Sequence, residues 1–163
     1  MGEIYDVATY QPKKSVGALL SRVRVEMLAA LDSEMATDKR LAPLELSAAQ
    51  FIIIANLAVA DAPMSASDLC KGIQYDAGAM TRMLDRLESK GLIRRNRSAQ
   101  DRRLMHLELT EEGRAAYPRM REISMAVANR FLRGFTKAEA RQLESMLARM
   151  VENAQGLAPR ASA

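Results

Sequence analysis

Tryptophan is absent from this 163-residue chain, histidine and cysteine occur once each, and aromatic residues make up only 4% of the total. Each scarcity excludes some chemistry. A single cysteine, Cys70, cannot form an intrachain disulfide, which agrees with a reducing compartment. A single histidine, His106, with no second histidine and no cysteine cluster beside it, argues against a metal site. No nucleophile-base pair, phosphate loop or metal spacing is found, so neither an enzyme nor a cofactor is expected. No apolar run approaches the ~20 residues that span a bilayer. The amino terminus lacks the basic-then-apolar order of a signal peptide, so the expected location is the cytoplasm, with no membrane partner.

What is present suits one globular core: 48% hydrophobic and 27% charged residues. With so few aromatics and 11 methionines, that core is expected to be filled by Leu, Met, Ala, Ile and Val. The net charge is only +4, but it is unevenly spread. Between Lys71 and Arg103 nine basic residues face four acidic ones, a local balance of +5 that exceeds the whole chain's. Positive charge gathered on one structural unit is the footprint of a polyanionic partner.

That unit reads as a pair of short helices followed by a basic hairpin. Ser65-Ala66-Ser67-Asp68 is a reciprocal cap with Met64 and Leu69 as its staple, and Gly72 is expected to end the short first helix in a left-handed conformation. Asp76 caps a second helix that buries Met80, Met83, Leu84 and Leu87 and stops at Gly91. On its other side Arg82, Arg86 and Lys90 recur every fourth residue as a positive stripe. After Gly91 the period changes to two: Leu92-Ile93 opens a strand, Asn96 to Arg103 forms the tip, and Met105, Leu107 and Leu109 mark the return. Two helices, the second arginine-rich, with a basic ribbon behind them, make a winged helix-turn-helix pattern suited to the major groove of double-stranded DNA. The fold class expected is therefore mainly α with a small β-hairpin wing.

Several ordered segments resemble the MarR family of bacterial transcription regulators: Asp68-Leu69-Cys70, Met80-Thr81-Arg82, Leu84-Asp85-Arg86-Leu87-Glu88, Lys90-Gly91-Leu92-Ile93, Asp101-Arg102-Arg103 and Leu107 to Gly113. Together they cover roughly the middle third of the chain. The resemblance implies a homodimer whose dimerisation domain is built from both chain ends. It also implies a repressor released by a small aromatic or lipophilic effector.

The remaining sequence supplies material for such a domain. Residues 1–12 have no sustained period and are expected to be a flexible arm. Residues 13–45 hold a long helix (Val16, Leu19, Leu20, Val23, Met27, Leu31, Met35) and a loop; 46–110 is the DNA-binding domain, opening on the capping box Ser47 to Gln50 with Leu46 and Phe51 as staple. Residues 111–157 hold two further helices, the first capped by Thr110 and interrupted by Pro118, where a kink or restart is expected, and ended by Gly134. The second opens on Thr136 to Glu139 and carries a seam of Leu143, Met146, Leu147, Met150, Val151 and Ala154. Residues 158–163 are expected to be a flexible tail. No obvious partner for the end helices' stripes exists inside the winged domain, so association of two chains is the natural way to bury them. Such a twofold dimer predicts an inverted-repeat operator.

Base reading is expected from Ala77, Gly78, Thr81 and Arg82, with Arg82 able to pair bidentately with guanine. Gly78 lets backbone approach the groove. Arg86 and Lys90 are expected on phosphate or the wing, Arg97 and Arg102 on phosphate, and Arg94 or Arg95 at the wing's base. The family resemblance makes Asp101 the brace of the wing tip and Arg103 the minor-groove residue. Helix position makes Met27, Phe51 and Met120 candidates for an effector pocket. Cys70 is expected as a small core residue; an oxidant-sensing thiol is the alternative. A winged-helix module that binds protein is a further alternative, which the arginine-rich face argues against.

Overall fold

A computed structural model describes residues 3–73, 75–97 and 105–157. The chain divides into two compact units, Met1–Val127 and Ala128–Ala163. In order the elements are α1 (Val16–Thr37), α2 (Ala48–Val59), α3 (Ala66–Ile73), α4 (Ala77–Ser89), β1 (Ile93–Arg97), β2 (Met105–Leu109), α5 (Glu111–Phe131) and α6 (Lys137–Leu157), with short 3-10 turns at Pro12–Lys14 and Ala42–Leu44. This is the mainly helical architecture with a two-stranded wing that the sequence implies.

Most helix starts are local chemistry. Ser47 and Gln50 satisfy each other's backbone across the first turn of α2, and Ser65 and Asp68 do the same for α3. Asp76 accepts from Ala79 N at 2.8 Å to start α4. Thr136 and Glu139 repeat the reciprocal pattern at α6. One start is helped from afar: Asp32 on α1 accepts from Ala48 N at 2.6 Å, which fastens α2 to α1.

The core of the first unit gathers one side from each element. Leu31 and Met35 of α1, Phe51, Ile53 and Ile54 of α2, Leu69 of α3, Met80, Leu84 and Leu87 of α4, Leu107 and Leu109 of β2, and Met120, Ile123 and Val127 of α5 are all buried together. Only the C-terminal end of the α1 stripe takes part; Val16, Leu19, Leu20 and Val23 remain exposed, at 37% to 52%. In the second unit Leu143, Met146, Met150 and Val151 of α6 are likewise exposed.

Three expectations need correction. Gly72 lies inside α3, which continues to the half-buried Ile73. Packing Ile73 on the core outweighs the modest cost of a helical glycine, and Gly91 and Gly134 are the glycines with positive φ among the described residues. Pro118 does not restart α5, which is unbroken from Glu111 to Phe131. The proline is exposed, so the carbonyl it leaves without an N–H partner lies on the solvent side. The wing strand extends further than expected, taking in Asn96 and Arg97. Within residues 3–10, Asp6 accepts from the N–H groups of Ala8 and Thr9, and Tyr5 and Tyr10 stack edge to face at 5.2 Å.

The end of α4, the wing and the start of α5 are joined at one point. Gly91, at φ 69°, gives its N–H to Glu88 O, and Leu92 N reaches Leu87 O at 3.0 Å, which closes the helix with a left-handed cap. The free carbonyls of Gly91 and Leu92 then accept from Thr110 Oγ1 at 2.6 Å and Thr110 N at 3.1 Å. Thr110 Oγ1 in turn caps Gly113 N at 3.1 Å. Gly113 is buried here, and a Cβ on it would stand 2.1 Å from Leu92 O.

This packing sets opposite outcomes for two glycine substitutions. Gly113→Ala must displace the Leu92 backbone and is expected to lose about 2 to 3 kcal/mol, while Gly72→Ala, with nothing within 4 Å of its new Cβ, should gain about 0.5 to 1 kcal/mol. Urea denaturation of both variants checks the contrast. The hydrogen bond from Arg119 holds the Asp38 carboxyl below the usual carboxylate range. Its stabilising effect is therefore present above about pH 4 and is lost as pH falls through the depressed folded value. Asp38→Asn should lower the urea midpoint at neutral pH and make the acid-side decline shallower.

Candidate nucleic-acid interface

Helix α4 presents two unlike sides. Met80, Leu84 and Leu87 are buried, whereas Ala77, Gly78, Thr81, Arg82 and Arg86 are exposed, as the base-reading expectation requires of an outward face. Thr81 Oγ1 donates to Ala77 O at 2.8 Å, so its proton is held by the helix while its oxygen can still accept. Gly78 has a second use. A Cβ built on it would lie 3.2 Å from Asp76 Oδ1 and 3.5 Å from Arg82 Nη1, so the missing side chain leaves the space over which the Arg82 guanidinium folds toward the start of α4. Asp76 itself serves as the helix cap.

Acid residues on α4 are neutralised from behind by the wing. Arg95 of β1 donates to Glu88 at 2.8 Å and to Asp85 at 2.6 Å, which ties the ribbon to the recognition helix. Arg94 pairs with Glu108 directly across the hairpin at 2.8 Å, matching the Arg94–Glu108 register. The Arg94 hydrogen bond, then that of Asn96, keeps the Glu108 carboxyl below its ordinary range. Exposed pairs of this kind contribute at most about 1 kcal/mol each. Their larger consequence is electrostatic: with Asp85 and Glu88 occupied by Arg95, no ion pair engages Arg82 or Arg86 among the described residues. Of the two arginines expected as alternatives at the wing's base, Arg95 is the one tied to α4, while Arg94 pairs across the hairpin.

The wing has an additional member. Met64 forms a bridge with Leu107, whose N–H reaches Met64 O at 2.8 Å, so the residue preceding the α3 cap lies against β2. One extended residue is too short a signal to read from sequence. Arg97 ends β1 and is exposed; Asp101, Arg102 and Arg103 lie outside the described residues.

Other candidates are placed less as anticipated. Lys90 is not part of the exposed stripe: its ammonium donates to the carbonyls of Leu44 and Glu45, because it follows the last turn of α4 and points to the α1–α2 linker. Sequence reading misses this contact, whose partners are more than forty positions away. Phe51 at 8% and Met120 at 0% exposure belong to the core, and Met27 is half-buried on α1. Cys70 is half-buried against the core on α3. His106 Nδ1 is buried without a hydrogen-bond partner among the described residues. No helix among the described residues is long and apolar enough to cross a membrane.

Residues 46–105 match the model of the MarR family, a span that takes in α2, α3, α4 and the wing up to the first residue of β2. Among solved structures, wild-type apo MarR from E. coli is 28% identical, covering 83% of this chain and 96% of that one with a TM-score of 0.67. The transcriptional regulator PA3341 is 26% identical over 87% of this chain and 99% of its own, with a TM-score of 0.75. BpsR of Bordetella bronchiseptica, at 24% identity, shares the fold with a TM-score of 0.73 over 87% of this chain and 96% of that one. Residues 46–105 thus resemble the MarR-family domain, and the chain shares the winged-helix, DNA-binding fold of solved transcriptional regulators of that family.

Proposed function

We propose that the protein is a homodimeric repressor that binds an inverted repeat in double-stranded DNA and is released by a small aromatic or lipophilic effector. The observation that carries the DNA-binding reading is the charge arrangement on α4. Its acids are taken up by Arg95, and Arg82 and Arg86 project from the exposed side of the helix that a winged-helix protein places in the major groove. Arg82 is assigned to guanine, Ala77, Gly78 and Thr81 to close approach along the groove floor, and Arg86 and Arg97 to phosphate. Arg103 keeps its proposed minor-groove role, with Arg102 on phosphate and Asp101 as brace.

Dimerisation rests on the exposed apolar residues of the chain ends. Val16, Leu19, Leu20 and Val23 in the first unit, and Leu143, Met146, Met150 and Val151 in the second, are exposed apolar side chains that association of two chains would take out of water. Effector control is supported by the fold comparison, because the DNA binding of BpsR is regulated by 6-hydroxynicotinic acid. Such an effector must bind free and DNA-bound forms unequally to relieve repression. Met27, half-buried on α1, is proposed to border its site in the dimer, while Phe51 and Met120 stay in the core.

Selection from a random duplex pool is expected to enrich an inverted repeat; unenriched output would contradict sequence-specific binding. On the selected site, Arg82→Ala and Arg103→Ala should each weaken binding by about 1 to 3 kcal/mol and relax preference locally, whereas Arg86→Ala should weaken all sequences alike and reduce the salt slope by about one. Light scattering should give twice the monomer mass, and charged substitutions at Leu19 and Met146 together should return it to one chain while the helical circular dichroism signal persists.

A further inference from the structure

Lys90 continues the basic stripe of α4 in sequence but leaves it in space. Its ammonium donates to the carbonyls of Leu44 and Glu45, the latter at 3.1 Å, at the end of the linker between α1 and α2. The linker's other end is held by α5: Arg119 Nε donates to Asp38 Oδ2 at 2.8 Å, its Nη2 stands 2.7 Å from the same oxygen as an ion pair, and the Asp38 side chain is only 10% exposed. We propose that residues 38–45 form a strap that fixes the pose of the recognition helix relative to α5, with Lys90 as a positioning residue and not a DNA contact.

A strap can transmit position only if it is stiff, and this one is internally bonded. Asp38 Oδ1 accepts from Arg40 N and Leu41 N, Asp38 O accepts from Ala42 N, Leu41 O from Leu44 N, and Ala42 O from Glu45 N. Proline at 43 has no N–H to place, so every backbone donor from Arg40 to Glu45 is engaged. Leu41 at 2% exposure and Leu46 at 7% pin the segment into the core. Glu45 is the described non-glycine residue with positive φ, at 45°, a conformation that disfavours a residue with a Cβ. Surroundings must therefore hold it there, and the Lys90 ammonium on two successive carbonyls does so. The same ammonium follows the carbonyl end of α4, where a cation is favoured. Lys90 thus closes a path from α5 through Arg119, Asp38, the strap and Glu45 to the base of the recognition helix.

This inference rests on the DNA-binding reading for its consequence but not for its geometry, so the test has two readouts. Lys90→Met, Arg119→Met and the double variant are made in the full chain, with Lys90→Arg as the conservative control, and their urea midpoints and affinities for the pool-selected duplex are measured at several salt concentrations. Lys90→Met should lose three- to tenfold in specific affinity, with less discrimination against unrelated duplex and an unchanged salt slope; Lys90→Arg should recover most of the loss. In the Arg119→Met background at least half of the Lys90→Met effect should vanish, in midpoint and in affinity, although the two side chains share no bond. A salt slope reduced by about one would put Lys90 on phosphate and overturn the proposal, as would additive effects of the two substitutions in denaturation. If the wild-type protein selects no sequence, the DNA reading fails, and the denaturation cycle still decides for or against the strap.

Discussion

The carbonyls of Gly91 and Leu92, both accepting from Thr110, hold α4, the wing and α5 in one geometry. They stand where α4 has ended and the wing has begun, and Thr110 both follows the last strand of the wing and caps α5. Three elements therefore meet through two backbone oxygens and one side chain. The arrangement requires a left-handed residue at 91 and no Cβ at 113, and the sequence has glycine at both. An α4 that ended elsewhere would turn its arginines away from the face the wing leaves open.

Charge is distributed so that attachment and recognition use different residues. Arg94 and Arg95 are engaged with carboxylates and Lys90 with carbonyls, so they shape the protein; Arg82 and Arg86 have no such partner among the described residues. Counting cations along the segment gives a positive patch but overstates the number available to DNA. Of the three cations at four-residue spacing, Arg82, Arg86 and Lys90, the last follows the end of α4 and is consumed internally. The exposed cations of α4 itself are then Arg82 and Arg86.

How much of the molecule is legible in sequence depends on distance along the chain. The caps at Ser47, Ser65, Asp76, Thr110 and Thr136 are all readable, because donor and acceptor lie within three residues of each other. Gly91 and Gly134 are readable as helix ends because an apolar stripe stops there; Gly72 misleads because burial of the next residue, Ile73, carries the helix one step further. Lys90 reads as a phosphate contact because four-residue spacing defines a face, but it does so only while the helix lasts, and α4 ends at Ser89. Its true partners, like those joining Asp38 to Arg119 and Met64 to Leu107, come together only after the core has formed. The candidate site is therefore legible in its residue types and outward face, and illegible in which cations the protein keeps for itself.

The exposed stripes of α1 and α6 carry the remaining step from fold to function, since a lone winged helix has one recognition element and a symmetric dimer has two. The most direct measurement is a methylation-interference footprint on the duplex recovered from the random pool. The account predicts two symmetric sets of guanine N7 contacts in the major groove, centred about one helical turn, or roughly 34 Å, apart. A single set without a dyad, or interference confined to the minor groove, would contradict it.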